Sequence, residues 1–564
     1  MKNNSKIKFL RNDLNNFQVG IYLAILSVLG ITFRMFYCPF DIPIIADGLD
    51  YFSYGYKMSE IGNFPKDWEI SNNAWAAFMS IFFTLFNGET FLENNSVQRI
   101  LSVIFSTATI FPVFLLCNKF FNRKLSMVGA SIFIFDPRII LNSTQGLIEP
   151  SYIFIGTIVL YLFLSKNKKL IYASFFLVGI FSLLRWEGLL LIFTMIPLFV
   201  IRFRHEKKIV VNLIIATSIF LISILPMTYI NIQNTGSDGL FSPLIIYGPE
   251  YVDRYIIKQK IDDPSRLGID ESLENEENTV LIKKYISGEI NKEEFEKKYY
   301  NSKPISENII FTLMKNAIEN TIKLTSWIMI PIFIWFLPPS SIIIFKNKLI
   351  EKWSYEKTII LFFMISLFIP ALYAFSRDFN DTRYLYVLFP IFSMVSLIFI
   401  HKILEKISKK KLISILILLG IIISSILFLE ITKSDHELEK ERYNIAKFTV
   451  ANADGVNLSS FTKYFTAAEI DNNWPNIPNP NLSGHVTPET MKFVIKESNV
   501  IEFIQNNKNN GLTHIIAEDM PDSIVFQDVY INSENYPFLE KIYDGNEEGM
   551  NSKVKIFKIN FGKM

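Results

Sequence analysis

Apolar runs that are long enough to cross a lipid bilayer recur along the chain, and they constrain its fold more than any other feature. Half of the 564 residues are hydrophobic. A helix needs about 20 apolar residues to cross the hydrocarbon core, and an open strand there would leave its peptide groups without hydrogen-bond partners. The sequence therefore predicts an α-helical polytopic membrane protein with about eleven transmembrane helices. The predicted spans are 19–38, 97–117, 125–141, 148–165, 170–185, 187–203, 209–230, 325–345, 358–375, 384–401 and 412–430.

The run 74–87 is ambiguous, because it is apolar but short and could either cross the membrane or lie along its surface. If it does not cross, the basic clusters of the connecting segments fall on the same side as the basic N-terminus, as the positive-inside rule favours. We therefore predict an interfacial helix at 74–87, an inner N-terminus and an outer C-terminus. The first span lacks a small-residue cleavage site and is predicted to be a signal anchor. The basic clusters lie within 2–11, 119–124, 166–169, 202–208, 346–357 and 402–411.

This topology gives the transmembrane domain, residues 1–430, two long outer loops. They cover residues 39–96 and 231–324. The second loop is longer than a connection requires, and apolar residues recur at helical spacing over 305–323. It is interpreted either as a covering or acceptor-binding element or as a linker.

The remaining outer segment, residues 431–564, is predicted to be a soluble α/β domain. Roughly 130 residues are enough to bury a core of their own. Strand-like runs occupy 512–517 and 553–559, and helical stretches are predicted near 437–450 and 489–506.

Ionisable residues gather at the outer ends of the predicted spans, where such groups usually form pairs or serve a functional pathway. Asp47 is the strongest candidate for function, because it lies in Ala-Asp-Gly-Leu-Asp-Tyr (46–51), a glycine-containing loop in which it has no evident packing role. The other candidates at this level are Asp50, Asp136, Arg138, Glu149, Arg185, Glu187 and Arg383.

Most of these residues also have a structural explanation. Asp50 could begin a helix, and Asp136 with Arg138 could cap and pair at a helix end. Arg185 and Glu187 could form an ion pair inside a tight hairpin.

The same holds for the last two candidates. Glu149 could be favoured by the dipole of the helix that it begins, and Arg383 could be an ordinary interfacial arginine. Arg383 stands ahead of an aromatic-rich span that opens with Tyr384, which raises the case for a function.

Several short motifs follow one another in a defined order along residues 15–430. Asp47 is followed four residues on by Tyr51 and then by an apolar interfacial helix. The order resembles that of the GT-C superfamily of polytopic glycosyltransferases, which includes protein O-mannosyltransferases, the lipid A aminoarabinose transferase and the catalytic subunit of oligosaccharyltransferase. The further motifs are Val-Gln-Arg-Ile-Leu-Ser (97–102), Asn-Lys-Phe-Phe-Asn-Arg-Lys (118–124), Gly-Leu-Ile-Glu-Pro (146–150), Leu-Arg-Trp-Glu-Gly-Leu-Leu (184–190) and Arg-Tyr-Leu-Tyr-Val-Leu-Phe-Pro (383–390).

Two departures from the family pattern narrow the expectation. The Asp-Glu pair of the protein mannosyltransferases is Asp47-Gly48 in this chain, which weakens an assignment to protein mannosylation. Asn-Trp-Pro at 473–475 is not the Trp-Trp-Asp-Tyr-Gly signature of oligosaccharyltransferases, which argues against transfer of a whole oligosaccharide.

The resemblance implies transfer of a sugar from a polyprenyl- or dolichyl-phosphate donor to a hydroxyl of a protein, lipid or glycan acceptor, with inversion, on the outer face of the cell membrane. Asp47 would be the general base. Arg383 is the first candidate for binding the donor phosphate and Arg138 the second, because a guanidinium offers two parallel donors and stays charged.

The remaining candidates receive supporting roles under this reading. Tyr51, Tyr384 and Glu149 would contact substrate. The residues expected to hold these side chains in position, without touching substrate, are Asp50, Asp136, Arg185 and Glu187.

No cofactor is expected to be required, although metal dependence stays open. Asp47, Asp136 and Glu149 could hold Mn²⁺ or Mg²⁺ through oxygen ligands, whereas the five histidines show no spacing suited to zinc. No glycine-rich phosphate loop is evident, and nucleic acid is not an expected partner.

The alternative class is a transporter or flippase of lipid-linked sugars that catalyses no reaction. The sequence shows no repeated pair of interrupted helices of the kind that transporters often have. The charges also lie at one face and not at mid-membrane, which favours catalysis at the interface. A ligase that uses a lipid-linked glycan is a third reading.

Overall fold

The structure is a computed structural model that describes residues 13–66, 68, 70, 72–86, 88–241, 309–346, 354–433, 435–480, 485–495, 497, 499–519 and 524–564. The chain divides into two compact units. The first draws on Met1–Pro243, Glu319–Ser434 and Asn479–His485, and the second on Leu244–Ile318, Asp435–Pro478 and Val486–Met564. The central part of the predicted loop 231–324 lies outside the described residues.

Helices make up nearly all of the described residues between 13 and 433. They are α1 (Asn16–Phe36), α2 (Asp47–Ile61), α3 (Ala74–Phe86), α4 (Phe91–Ala108), α5 (Ile110–Asn118), α6 (Arg123–Ile134), α7 (Pro137–Thr144), α8 (Glu149–Phe163), α9 (Lys168–Leu184), α10 (Leu189–Phe203), α11 (Ile209–Thr235), α12 (Ile309–Met329), α13 (Phe333–Lys346), α14 (Tyr355–Ser376), α15 (Phe389–Lys406) and α16 (Lys410–Thr432).

Within the described residues, seven helical segments are long and apolar enough to cross a membrane, and nine if each of two bent helix pairs counts as one span. Two further predicted spans, 148–165 and 170–185, correspond to α8 with 15 residues and α9 with 17. At 1.5 Å per residue these helices reach roughly 22 to 26 Å, less than a hydrocarbon core of about 30 Å. A multi-pass membrane protein is therefore indicated, and the count of eleven spans stays a prediction.

Two predicted spans each consist of two helices with a bend between them. The span 125–141 consists of α6 and α7, which are bent by 50°. The bend follows from Pro137, which cannot continue a helix, and from the Asp136 carboxylate, which caps the second helix. The span 325–345 is bent by 115° between α12 and α13.

The first outer loop is folded into two helices. Asp47 is the first residue of α2, so its expected place in an irregular loop is corrected to a helix N-terminus. Residues 74–86 of the apolar run form α3, whose 13 residues span only about 20 Å. Phe52 of α2 and Phe83 of α3 meet edge to face with ring centroids 5.4 Å apart. That α3 lies along the membrane surface stays a prediction.

A buried arginine fixes α1 against its neighbours. Arg34 is completely buried and donates from Nε to the Ser106 hydroxyl at 3.0 Å and from Nη1 to the Ile134 carbonyl at 3.1 Å. Gly30 allows this approach, because a Cβ there would stand 2.6 Å from Ile134. Since unpaired polar groups are costly in lipid, these bonds anchor the first helix inside the unit.

The second unit contains a five-stranded sheet. Its strands are β1 (Gly455–Asn457), β2 (Met491–Phe493), β3 (His514–Glu518), β4 (Leu539–Asp544) and β5 (Val554–Ile559). The strand order is β2-β1-β3-β5-β4, with β1 parallel to both neighbours and β5 antiparallel to both of its own. The helices are α17 (His436–Asn452), α18 (Phe465–Asn472), α19 (Val500–Asn507) and α20 (Ile524–Ile531).

The local predictions for this unit are mostly confirmed. Strands appear at 514–518 and 554–559, and a helix at 436–452. The predicted helix 489–506 is wrong in its first half, where residues 491–493 pair with β1 as a strand. Tertiary pairing overrides local helical propensity there. Ile515, Phe503 and Val529 are fully buried in the core that covers the sheet.

Candidate functional site

One face of α4 holds the first outer loop in place. Gln98 donates from Nε2 to the carbonyl of Gly48 at 2.9 Å and to that of Gly146 at 2.7 Å. The Ile44 amide donates to Asn95 Oδ1 at 2.7 Å, and Ser102 donates to the Leu147 carbonyl at 2.9 Å. Positions three, four and seven apart share a helix face. One side of α4 therefore hydrogen-bonds both the segment that contains Gly48 and the segment that contains Gly146. Gln98 thereby fixes the start of α2 next to the turn that precedes α8.

Asp47 and Arg383 form an ion pair at this place. Arg383 Nη2 donates to Asp47 Oδ2 at 3.1 Å, and Arg383 Nε donates to Asp381 Oδ2 at 2.6 Å. The Asp47 side chain is 57% exposed, whereas that of Arg383 is 26% exposed. Ala46, directly before Asp47, has φ of 51°, a conformation that L-residues rarely adopt and that is often found at functional sites. The pair places a solvent-accessible carboxylate beside a guanidinium whose position is fixed by Asp381.

A second arginine sits between two glutamates. Arg185 Nη1 donates to Glu149 Oε1 at 2.9 Å and Arg185 Nη2 donates to Glu187 Oε1 at 3.0 Å. All three side chains are at most 15% exposed. The Arg185 guanidinium also lies over the Tyr384 ring, 4.9 Å from its centroid. The predicted pair of Arg185 with Glu187 is therefore present, and Glu149 joins it.

A small cavity brings the two arginines together. Glu149 and Glu187 each leave Oε2 buried without a hydrogen-bond partner among the residues that the structure describes. Such atoms are rare in folded proteins and point to a missing ligand or water. The cavity is lined by Glu149, Tyr152, Ile153, Arg185, Glu187, Leu367, Pro370, Arg383, Tyr384 and Val387.

Asn72 links the first outer loop to the turn that carries Arg185. Its Oδ1 accepts from the Trp186 amide at 2.9 Å, and its side chain also hydrogen-bonds the Tyr51 hydroxyl. Burial raises the pKa of Tyr51, and Asp47 and Glu149 lie near enough to raise it further. Asn72 has φ of 63°. Sequence reasoning missed it, and the dipeptide Asn72-Asn73, which tolerates left-handed backbone, was the signal that could have shown it.

Arg138 and Asp136 occupy a different place from the cavity. Asp136 accepts from the amides of Arg138 and Ile139 and so caps α7. Arg138 Nη2 donates to the Trp327 carbonyl at 2.6 Å, and its guanidinium stacks on the rings of Trp327 and Phe428. The capping role expected for Asp136 is present. Arg138 does not line the cavity with Arg383.

Asp50 contacts a histidine from the far end of the chain. Asp50 Oδ2 and His485 Nδ1 are 2.7 Å apart, and the two side chains are 15% and 60% exposed. Asp50 lies in the first turn of α2, as the sequence suggested. His485 was not foreseen, because nothing local in the sequence pairs it with Asp50.

Within the described residues, no three His, Cys, Asp or Glu side chains come together in a way that could hold a metal ion. Asp47, Asp136 and Glu149 therefore do not form the three-ligand oxygen site that the sequence allowed. Asp136 is turned to the α7 amides, and Glu149 to Arg185.

The fold that carries this site is similar to that of two solved transferases with the GT-C fold. ArnT from Cupriavidus metallidurans, solved bound to undecaprenyl phosphate, is similar with a TM-score of 0.51 and 8% identity, over 97% of this chain and 98% of that one. The oligosaccharyltransferase of Archaeoglobus fulgidus, solved with Zn and sulfate, is similar with a TM-score of 0.50 and 10% identity. That match covers 96% of this chain and 73% of the other.

At such identities the likeness concerns the fold alone. The sequence itself matches no protein-family model and no curated protein. The fold that the order of the motifs led us to expect is thus confirmed.

Proposed function

We propose that this chain is a membrane glycosyltransferase that moves a sugar from a polyprenyl-phosphate donor to a hydroxyl of a protein, lipid or glycan acceptor. The active site would face the outer side of the cell membrane. The observation that carries the proposal is the contact of 3.1 Å between Asp47 and Arg383, two residues 336 positions apart. It joins the two groups that the reaction needs, a base and a cation.

The chemistry balances with these two groups. Asp47 Oδ2 takes the proton of the acceptor hydroxyl, and the acceptor oxygen forms a bond to the anomeric carbon. The bond from that carbon to the phosphate oxygen breaks, and its electron pair leaves with the lipid phosphate. Attack opposite the leaving group inverts the anomeric centre. General-base help is typically worth about 10²–10⁴-fold in rate.

Arg383 would couple donor binding to activation of the base. A lipid phosphate competes with Asp47 for the guanidinium, because both are oxyanions that accept charge-assisted hydrogen bonds. Asp381 holds Nε at 2.6 Å and can keep the side chain in place during the exchange. Arrival of the donor would then free the Asp47 carboxylate for the acceptor. Charge placed in advance where negative charge develops often contributes more than the base itself.

The donor class is supported by the fold. ArnT, whose fold is shared over almost the whole chain, was solved with undecaprenyl phosphate. We further propose that Arg383 takes the phosphate charge without a divalent cation.

The test is transfer by purified full-length protein in lipid nanodiscs, with undecaprenyl-phosphate sugars as donors and membrane extract as acceptor. Mass analysis should show loss of the lipid-linked sugar, release of undecaprenyl phosphate and gain of one sugar on a product. A protein that moves the intact lipid-linked sugar across vesicle membranes without releasing undecaprenyl phosphate would be a flippase, and the proposal would fail. Comparing the surface glycans of a deletion strain would identify the acceptor.

A further inference from the structure

We propose that the cavity beside Arg185 receives a hydroxyl-bearing edge of the donor sugar, and that Glu149 Oε2 and Glu187 Oε2 accept hydrogen bonds from its hydroxyl groups. This inference rests on the proposed function, which names a sugar donor but assigns no residues to its ring.

The ion pairs with Arg185 use only half of each carboxylate. Arg185 bonds one oxygen of each glutamate at 2.9 and 3.0 Å, and the other oxygen of each is buried without a partner among the described residues. The glutamate side chains are only 5% and 9% exposed, so bulk water does not solvate these oxygens. A buried carboxylate oxygen without a donor is unfavourable. Both glutamates line the cavity, which makes its interior the place for the missing donors.

The charge of the cavity wall selects the kind of ligand. Ionised carboxylates can only accept hydrogen bonds, so the ligand must supply donors. An anionic group would be repelled at the Arg185 end of the cavity, where two carboxylates bind one guanidinium. A sugar ring carries several neighbouring hydroxyls and no charge. Tyr152 and Tyr384 line the same cavity and offer aromatic surface, a common feature of ligand pockets.

The presence of Arg383 in the cavity lining suits a donor that carries a phosphate next to its sugar. Arg383 lines the cavity together with the two glutamates and also contacts Asp47 at 3.1 Å. A donor whose phosphate lies at Arg383 and whose ring points toward Glu149 would present its anomeric carbon near Asp47. The two arginines then have different duties: Arg383 binds phosphate, and Arg185 positions the glutamates.

Glutamine substitutions at Glu149 and Glu187 distinguish sugar binding from phosphate binding. Arg185 has donors only, so the carbonyl oxygen of a glutamine at 149 or 187 must face it to keep the bond. The amide nitrogen then takes the place of the unpartnered Oε2. Glu149→Gln and Glu187→Gln therefore keep the contact with Arg185 but replace an acceptor by a donor on the cavity side.

The experiment measures binding to full-length protein in nanodiscs. The probes are undecaprenyl phosphate and its glucosyl, galactosyl, mannosyl and arabinosyl derivatives. Wild type should bind at least one derivative about tenfold more tightly than undecaprenyl phosphate, the effect of one charge-assisted hydrogen bond. Each glutamine variant should lose this preference but bind undecaprenyl phosphate within about twofold of wild type. Glu60→Gln, on α2 and outside the cavity lining, is the matched control.

Three results would overturn the subsite. Either glutamine variant could keep the full sugar preference, or both could lose affinity for undecaprenyl phosphate as much as for its derivatives. Mn²⁺ alone could bind wild type but neither variant, which would make the carboxylates a cation site.

Failure of the proposed donor class is distinguishable from failure of the subsite. If wild type binds no polyprenyl phosphate, the proposal of a polyprenyl-phosphate donor is refuted. Methyl glycosides of the same four sugars then test the subsite by saturation-transfer NMR. Binding to wild type and not to the glutamine variants would support it, and equal signals or none would refute it.

Discussion

Loss of Arg185 should destabilise the protein strongly, and neutralising Glu149 and Glu187 as well should restore most of the lost stability. Arg185→Met removes the guanidinium that binds Glu149 and Glu187, whose side chains are 5% and 9% exposed. Breaking a buried ion pair from one side costs about 3–5 kcal/mol, because it leaves an uncompensated buried charge. Two carboxylates are left here, so we expect the free energy of unfolding to fall by about 4–5 kcal/mol.

The triple variant Arg185→Met/Glu149→Gln/Glu187→Gln carries no buried charge at this place. A neutral replacement of a buried ion pair is often close to neutral in stability, so it should recover more than half of the loss. Unfolding of full-length protein in mixed micelles, followed by tryptophan fluorescence against SDS mole fraction, measures both variants. A single variant within about 1 kcal/mol of wild type, or a triple variant no better than the single, would refute the electrostatic reasoning.

Further predictions concern the site and the second unit. Arg383→Lys should keep only part of the turnover and donor affinity, and Arg383→Ala less, since an ammonium lacks the planar fork; equal values for all three proteins would exclude a phosphate role. Asn72→Asp keeps the acceptor for the Trp186 amide but cannot donate to Tyr51, so turnover should fall as far as in Tyr51→Phe, roughly tenfold, whereas Glu60→Gln should stay near wild type. Burial and a nearby lysine lower the pKa of His514 below 6.5. The folded form therefore binds fewer protons than the unfolded form, and stability should drop as pH falls below about 6.5. Hydrogen exchange of β3 and β5 in the full chain at pH 7.5 and 5.5 measures this, and unchanged protection would contradict it. EDTA should leave turnover unchanged, and a loss that Mn²⁺ restores would show that a cation assists Arg383.

The helical, multi-pass character of the chain could be predicted from the sequence because its signal is one of length and composition. Apolar runs need no knowledge of which residues meet. The two bent pairs escaped, although Pro137 lies inside the predicted span 125–141. Hydropathy is averaged over a window, so one proline hardly changes it, whereas the same proline bends or ends a helix.

The candidate site was predicted in part, for a reason that the geometry makes clear. Asp47, Glu149, Arg185 and Arg383 were found because charged groups near the membrane are conspicuous in a sequence. The pair of Arg185 with Glu187 was expected, because the two residues are neighbours in the sequence. The contact between Asp47 and Arg383 joins residues 336 positions apart and leaves no local signal.

Neutral residues that position these charges escaped entirely. Gln98, which fixes Gly48 and Gly146, and Asn72, which bonds Trp186 and Tyr51, are uncharged side chains. Their roles come from carbonyl and amide groups of distant backbone, and such partners leave no pattern in the local sequence.

The most direct test of the central claim is single-turnover sugar transfer by Asp47→Asn. Asparagine keeps the size of the side chain but cannot take the acceptor proton, and its oxygen can still accept from Arg383. The donor is the undecaprenyl-phosphate sugar that supports wild-type turnover, and Glu60→Gln serves as control. We predict that Asp47→Asn binds this donor with affinity close to wild type and transfers its sugar about 10²–10⁴-fold more slowly. Transfer at a rate near wild type would contradict the assignment of Asp47 as the base.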